Sequence, residues 1–264
     1  MFEHRNPKKY RKMKKVLFGT FLFFVMMNFA YAQLKLGVKL GATATNVNFN
    51  ATTELNDFEF PTAHRMNFTG GVVAEFDLME DLLGLRTSIE YARKGYNIDL
   101  DKFREKFNDI KKLSGDWYSL YDYLQLPVNL VYKLDNFSIN AGPYLAYGLG
   151  GTEMADLKGE LNDGTEIDFS ETNALTPVFN GIPENTTDII TETGVLKYYN
   201  GLDLGINIGF GFTLKDVLIN VQYQQGLTNL TPEIKDDPDF NPSDLIAKNN
   251  VLSLELTYFI PFKK

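Results

Sequence analysis

From residue 34 onward the chain alternates apolar and polar residues with a period of two, in eight separate segments. That pattern places alternate side chains on opposite faces of an extended strand. Between Gly201 and Phe212, Leu202, Leu204, Ile206, Ile208 and Phe210 alternate with Asp203, Gly205, Asn207, Gly209 and Gly211. The same period runs through Leu34–Ala42, Phe68–Leu78, Leu83–Tyr96, Tyr121–Leu134, Phe137–Gly148, Val217–Leu227 and Val251–Phe262. Each segment supplies the roughly 9–11 residues that a tilted strand needs to cross a bilayer.

The joins carry a second period. Met79-Glu80-Asp81, Asp135-Asn136 and Lys215-Asp216 are short, whereas the joins near 48–66, 97–120, 149–200 and 228–249 are long. Short and long alternate throughout. In an up-and-down barrel all short turns then lie at one end with both termini, and all long loops lie at the other. The expected fold class is therefore all-β: an eight-stranded antiparallel up-and-down transmembrane β-barrel with short periplasmic turns and long extracellular loops.

A soluble eight-stranded barrel shows the same alternation with its apolar face turned inward. Three features favour apolar-out. The apolar set is nearly all Leu, Ile, Val, Phe and Tyr, and the opposite set is rich in Gly and small polar residues. Aromatic residues also gather at segment ends: Tyr91, Tyr96, Tyr132, Phe137, Tyr147, Phe212, Tyr223, Tyr258 and Phe262. Those are positions for headgroup-level girdles.

The amino terminus reads as an export signal. Lys8, Lys9, Arg11, Lys12, Lys14 and Lys15 precede an apolar run from Val16 to Met27, and Ala30-Tyr31-Ala32 forms an A-x-A site. This predicts a cleaved secretory signal over 1–32, cut after Ala32, and a barrel domain over 33–264, with Met1 or Met13 as the start. The chain has no Cys, which fits an oxidising compartment and excludes thiol chemistry and a lipidated cysteine. Residues 1–32 hold seven of the 26 Lys+Arg and one of the 34 Asp+Glu, leaving 19 basic and 33 acidic groups, a net −14. Such a chain offers no general basic surface for nucleic acid.

Hydrocarbon provides no partner for a backbone N–H or C=O, so a strand-built span must close on itself. Eight strands leave an interior that side chains fill. The inward set is Lys35, Lys39, Glu75, Asp77, Arg86, Glu90, Lys94, Asp203 and Glu255. A dry lumen requires these charges to pair or hold water. The reading favoured is a salt-bridged structural plug, with a charge-lined solute pathway as the alternative.

Specific recognition then falls to the long loops. Asp99–Leu113 is expected to form a helix, with Phe103, Phe107 and Ile110 on one stripe, Asp99 or Asp101 as cap and Ser114-Gly115 as terminator. The stripe is read as packing on the barrel mouth, although Lys102, Arg104, Lys106, Lys111 and Lys112 could also meet lipopolysaccharide or a partner. The third long loop holds ten acids from Glu153 to Glu192 and the fourth holds Asp236-Asp237-Pro238-Asp239. Neither has EF-hand spacing, so a solvated acidic surface is expected, without bound metal or cofactor. Asn162-Asp-Gly164 signals a hairpin within the third loop.

A lipid-modifying enzyme usually needs a proton-passing His, and after residue 32 the chain has one, His64, with Ser88 and Ser253 on distant strands. No nucleophile-plus-base spacing is visible, so no catalytic residue is expected.

Leu85-Arg-Thr-Ser-Ile-Glu-Tyr-Ala-Arg-Lys-Gly95, Tyr123-Leu-Gln-Leu-Pro-Val128, Ala141-Gly-Pro-Tyr-Leu145, Asp203-Leu-Gly-Ile-Asn-Ile-Gly209 and Tyr223–Leu227 resemble the PorT-like, or "porin family", small outer-membrane barrels. The likeness spans residues 33–262. It implies an eight-stranded outer-membrane barrel. Such a barrel is expected to be monomeric, in contact with outer-membrane lipid and lipopolysaccharide, and inserted by the barrel-assembly machinery. It also suggests a link to type IX secretion proteins. Lys263-Lys264 depart from the usual terminal aromatic, which leaves Phe262 as the expected assembly-signal residue. The function expected is a non-enzymatic accessory or binding component of the cell envelope. The alternatives are a narrow pore for small solutes and a lipid-modifying enzyme.

Overall fold

The computed structural model describes residues 34–51, 61–183, 186, 189–192, 195–234 and 245–261. The expected signal segment, Asp236-Asp237-Pro238-Asp239 and Phe262 lie outside the described residues.

Among the described residues eleven strands and one helix follow in order: β1 (Leu34–Ala51), β2 (Thr62–Ala63), β3 (Arg65–Met79), β4 (Leu83–Ile98), α1 (Leu100–Lys106), β5 (Ile110–Leu134), β6 (Phe137–Leu161), β7 (Glu166–Val178), β8 (Tyr198–Asn200), β9 (Leu202–Leu214), β10 (Val217–Gly226) and β11 (Leu245–Phe259). Eight of them close a ring, β1-β3-β4-β5-β6-β9-β10-β11 and back to β1, with every neighbour antiparallel. The closing seam is long, running from Gly37↔Phe259 to Ala51↔Leu245. Within the membrane such closure leaves no edge unpaired.

The three short turns stand at one end with Leu34 and Phe259. Each places a non-glycine residue at positive φ: Asp81 at 56°, Asp135 at 52° and Lys215 at 56°. A tight hairpin that follows the right-handed twist of its strands needs that conformation, which Asp tolerates comparatively well.

The faces are apolar-out. Leu204, Ile206, Ile208 and Phe210 are exposed, while Asp203, Gly205, Asn207 and Gly209 between them are buried. Leu36, Leu40, Phe68, Val72, Leu126, Leu130, Leu254 and Leu256 continue the band around the ring. Tyr132, Phe137, Tyr147, Tyr223 and Tyr258 are likewise exposed at its margins. Tyr96 departs from the expected girdle: it points inward and is buried above the membrane band. It follows the inward Lys94 by two residues and so shares that face of β4, at a level where the inward face has become apolar.

The long joins contain more structure than loops. β5 and β6 are each 25 residues long, so both continue well past the apolar band. There β7 adds to β6 through a hairpin at Asn162-Asp-Gly164, with Gly164 at φ 88° and Asp163 accepting from the Thr165 N–H at 2.8 Å. The result is an extracellular three-stranded sheet of β5, β6 and β7 rising from the barrel wall.

That sheet also corrects the expected helix. α1 covers only Leu100–Lys106, capped by Asp99, whose side chain accepts from the Lys102 N–H at 3.2 Å. Phe107 is already its C-terminal cap, and Ile110 begins β5. Ser114 and Gly115 lie inside β5, paired with Lys158 and Leu157. A ladder to β6, shifted once between Ile110 and Lys112 and regular from Lys112 to Ser119, engages the backbone there and outweighs a short helical stripe. Phe103 packs on Phe107 at 4.7 Å and edge-on to Trp117 at 5.2 Å, leaving Ile110 off that stripe.

Candidate functional site: the filled lumen and its crown

The inward residues of the ring form three charged tiers, from the short-turn end upward. In the first, Glu75 accepts from Arg86 at 2.7 Å (Nε) and 2.6 Å (Nη2), and Lys133 reaches its other oxygen at 2.6 Å. Lys133 also bonds Asp77, which Lys35 meets at 3.2 Å. In register, Glu75 stands opposite both Lys35 on β1 and Arg86 on β4, while Lys133 reaches Glu75 and Asp77 from β5, across the intervening β4. Lys35 remains partly exposed at the mouth.

In the second tier Lys39 sits between two carboxylates. It bonds Glu90 and stands 3.5 Å from Glu255. Ser88 donates to Glu90 at 2.9 Å and Gln125 donates to it at 2.8 Å. Ser253 and Asn220 donate to Glu255 at 3.1 and 3.3 Å. Asn140 to Asn220, at 2.8 Å, and Asn207 to Asn129, at 3.2 Å, tie the remaining walls together.

In the third tier Lys94 donates to Asp203 at 2.8 Å. Tyr144 and Asn249 converge on the same carboxylate oxygen at 3.2 and 2.9 Å. The Lys94 ammonium also lies 4.3 Å from the centre of the Tyr144 ring and 5.2 Å from that of Tyr123. Cation–π attraction of this kind grows when the pair is desolvated.

Across the tiers Lys35, Lys39, Arg86, Lys94 and Lys133 face Glu75, Asp77, Glu90, Asp203 and Glu255, so these tiers are formally neutral. Neutrality and mutual hydrogen bonding are what make buried charges tolerable. A cavity between Lys39, Arg86, Asn129 and Glu255 measures about 20 Å³. That is room for about one water, not a solute. Below it, a basin of about 590 Å³ opens at the short-turn end, and Glu75 and Arg86 contribute to its lining.

Above the third tier the lumen turns apolar. Val47, Tyr96, Trp117, Tyr121, Tyr123, Leu175, Tyr199 and Ala247 form a buried core inside the crown, with Phe49 and Phe103 against it. Tyr121 and Tyr199 lie 4.9 Å apart, and burial pushes the Tyr199 hydroxyl well above its ordinary value. Glu153 belongs to this core rather than to a solvated acidic surface. It is fully buried, accepting from Trp117 Nε1 at 3.0 Å and Asn173 Nδ2 at 2.9 Å.

Lys133 is absent from the expected charge set although it occupies an inward position of β5, so alternation could have found it. Tyr144 and Asn249 share the inward parity of Asn140 and Glu255, so alternation places them in the lumen but not on Asp203. Glu153 carries no such signal, because β6 holds an extra residue between Gly148 and Gly150 that flips its faces. His64 and the two serines are not brought together. His64 is exposed and its carbonyl accepts from Asn97 at 3.2 Å, while Ser88 and Ser253 are committed to Glu90 and Glu255.

The family model for the outer membrane protein beta-barrel domain matches residues 28–231. The chain belongs to that family. It is an integral outer-membrane β-barrel of the cell envelope, which agrees with the apolar exterior and closed ring. Among solved structures it is similar to Neisserial surface protein A, at 12% identity over 85% of this chain and 97% of that one, with a TM-score of 0.35. A major outer membrane protein from Thermus thermophilus is similar at 14% identity over 86% and 99%, with a TM-score of 0.35. The translocator domain of the autotransporter NalP from Neisseria meningitidis is similar at 12% identity over 95% and 97%, with a TM-score of 0.23. No curated protein matches the sequence.

Proposed function

We propose that this barrel is a non-conducting, non-enzymatic binding or accessory component of the outer membrane that presents its crown to partners outside the cell. The observation that carries this reading is the filled bore: three tiers of paired side chains closed above by an aromatic core. Side chains that are mutually bonded across the lumen leave no continuous water path, and conduction requires one. The commitment of Ser88 and Ser253 to carboxylates, away from His64, supports the non-enzymatic half of the reading. The resemblance to PorT-like barrels supports secreted or surface proteins as the partner class.

Two measurements test it. Purified protein in planar bilayers should show no unitary conductance, and a stable ohmic conductance in the wild type would overturn the reading. A strain lacking the gene, compared with its complemented parent, should lose or mislocalise a class of surface or secreted proteins. An unchanged surface proteome would remove the secretion link.

A further inference from the structure

Among the described residues the crown sheet ends in an open edge. β7 pairs with β6 in unbroken register from Gly151↔Leu175 to Glu160↔Glu166, and β8 covers its other side only at Thr176–Val178. There the Thr176 N–H donates to the Lys197 carbonyl at 2.8 Å, and the Val178 carbonyl accepts from the Gly201 N–H at 2.7 Å. A strand residue points its N–H and C=O to the same side, and alternate residues share that side. Glu166, Asp168, Ser170, Thr172 and Ala174 therefore direct their backbone groups along the continuation of that edge. No described residue pairs with it. At about 3.3 Å per residue the open stretch is roughly 30 Å long.

Natural edges of this length are usually guarded by Lys, Pro or a bulge. Residues 166–175 contain no Lys, Arg or Pro, and their register to β6 shows no shift. Their charge is wholly negative: Glu166 and Asp168 on the exposed face and Glu171 on the half-buried one. Lys158 stands opposite Asp168 on β6, but Glu160 stands opposite Glu166. One carboxylate oxygen of Glu171 is shielded from solvent without a hydrogen-bond partner. An acceptor in that state favours an incoming cation.

We propose that the β7 edge over residues 166–175 binds an extended, basic polypeptide segment by strand addition. This rests on the reading of the barrel as a binding component and gives that partner its chemistry. Backbone ladder bonds would supply affinity, and Lys or Arg side chains at alternate positions would meet Glu166 and Asp168 or, on the other face, Glu171. A second copy fits less well, since edge-to-edge pairing of β7 with itself sets acids against acids. The chain's own segments 52–60 and 235–244 are acidic, and the latter carries Pro238 and Pro242, which cannot donate to a ladder.

The test uses the folded full chain in detergent and a fluorescent ten-residue peptide of alternating Lys and Val. An alternating Glu and Val peptide and an alternately N-methylated Lys and Val peptide serve as controls. The basic peptide should bind, the acidic one should not, and N-methylation should abolish binding. Ser170→Pro removes an edge N–H without touching the ladder to β6 and should weaken binding about tenfold, the loss of one good hydrogen bond. Glu171→Gln should weaken it several-fold. Thr172→Pro is the second variant if Ser170→Pro no longer shows the heat-modifiable gel mobility of a folded barrel.

Three outcomes would overturn the proposal. They are no binding at millimolar peptide, binding indifferent to both N-methylation and the proline variants, and a wild-type dimer in light scattering that Ser170→Pro dissolves. Bilayer silence is unaffected by any of these, so failure of the edge and failure of the closed-barrel reading are separable.

Discussion

Lys94 on β4 and Asp203 on β9 meet at 2.8 Å across the barrel, 109 positions apart in the chain and both buried. No strand pairing joins β4 to β9, so the contact spans the lumen rather than running along its wall. It fixes one side of the ring against the other at the level where the polar bore gives way to the aromatic crown.

Removing one partner should therefore cost far more than removing both. Lys94→Met leaves an uncompensated buried carboxylate and should destabilise the barrel by about 3–5 kcal/mol. The double variant Lys94→Met with Asp203→Leu should recover most of that loss. Urea unfolding in detergent, followed by the fluorescence of the single tryptophan, Trp117, checks both.

Gly205 makes room for this cluster. A Cβ there would come within 2.4 Å of the Tyr144 ring and 2.3 Å of the Gln225 carbonyl. Gly205→Ala should push Tyr144 off Asp203 and Lys94 and cost about 1–3 kcal/mol. The unfolding midpoint reports the loss, and near-ultraviolet circular dichroism reports the displaced tyrosine.

Ile208 lies near the middle of β9 on the exposed face. Ile208→Arg should destabilise the inserted barrel by about 2–4 kcal/mol, the cost of a cation on the lipid face near the midplane. The same change on the outside of a water-soluble barrel would be close to neutral. Folding into vesicles, assayed by gel mobility, separates the two.

At the tip of the crown Lys111 donates to Glu160 at 2.6 Å. That bond, then the charge of Lys111 and Lys112, holds the Glu160 carboxyl below its ordinary value of 4.5. A depressed folded-state value means that the contribution is fully present above the ordinary value and is lost as pH falls through the lower folded value. Lys111→Gln should return the Glu160 titration toward 4.5 in carboxyl-detected NMR, with the barrel itself unchanged.

Much of this molecule was legible residue by residue. Period two in Gly201–Phe212 determined that Leu204 and Ile206 share one face and Asp203 and Asn207 the other, because a strand allows nothing else. The alternation of short and long joins determined an up-and-down order with Leu34 and Phe259 at one end. Inward parity alone also marks the charged positions from Lys35 to Glu255. Tertiary structure decided which charges meet, since Lys94 and Asp203 belong to strands that never pair. It decided the fate of residues 107–119, where a helical stripe and a strand are both locally permitted and only the ladder to β6 chooses between them. It decided that Glu153 lies in a core rather than at a surface, and that among the described residues no strand covers the outer edge of β7 over residues 166–175. A strand's own sequence specifies its faces through side-chain direction, but its edges are satisfied or left free by other strands, and only closure of the fold determines which.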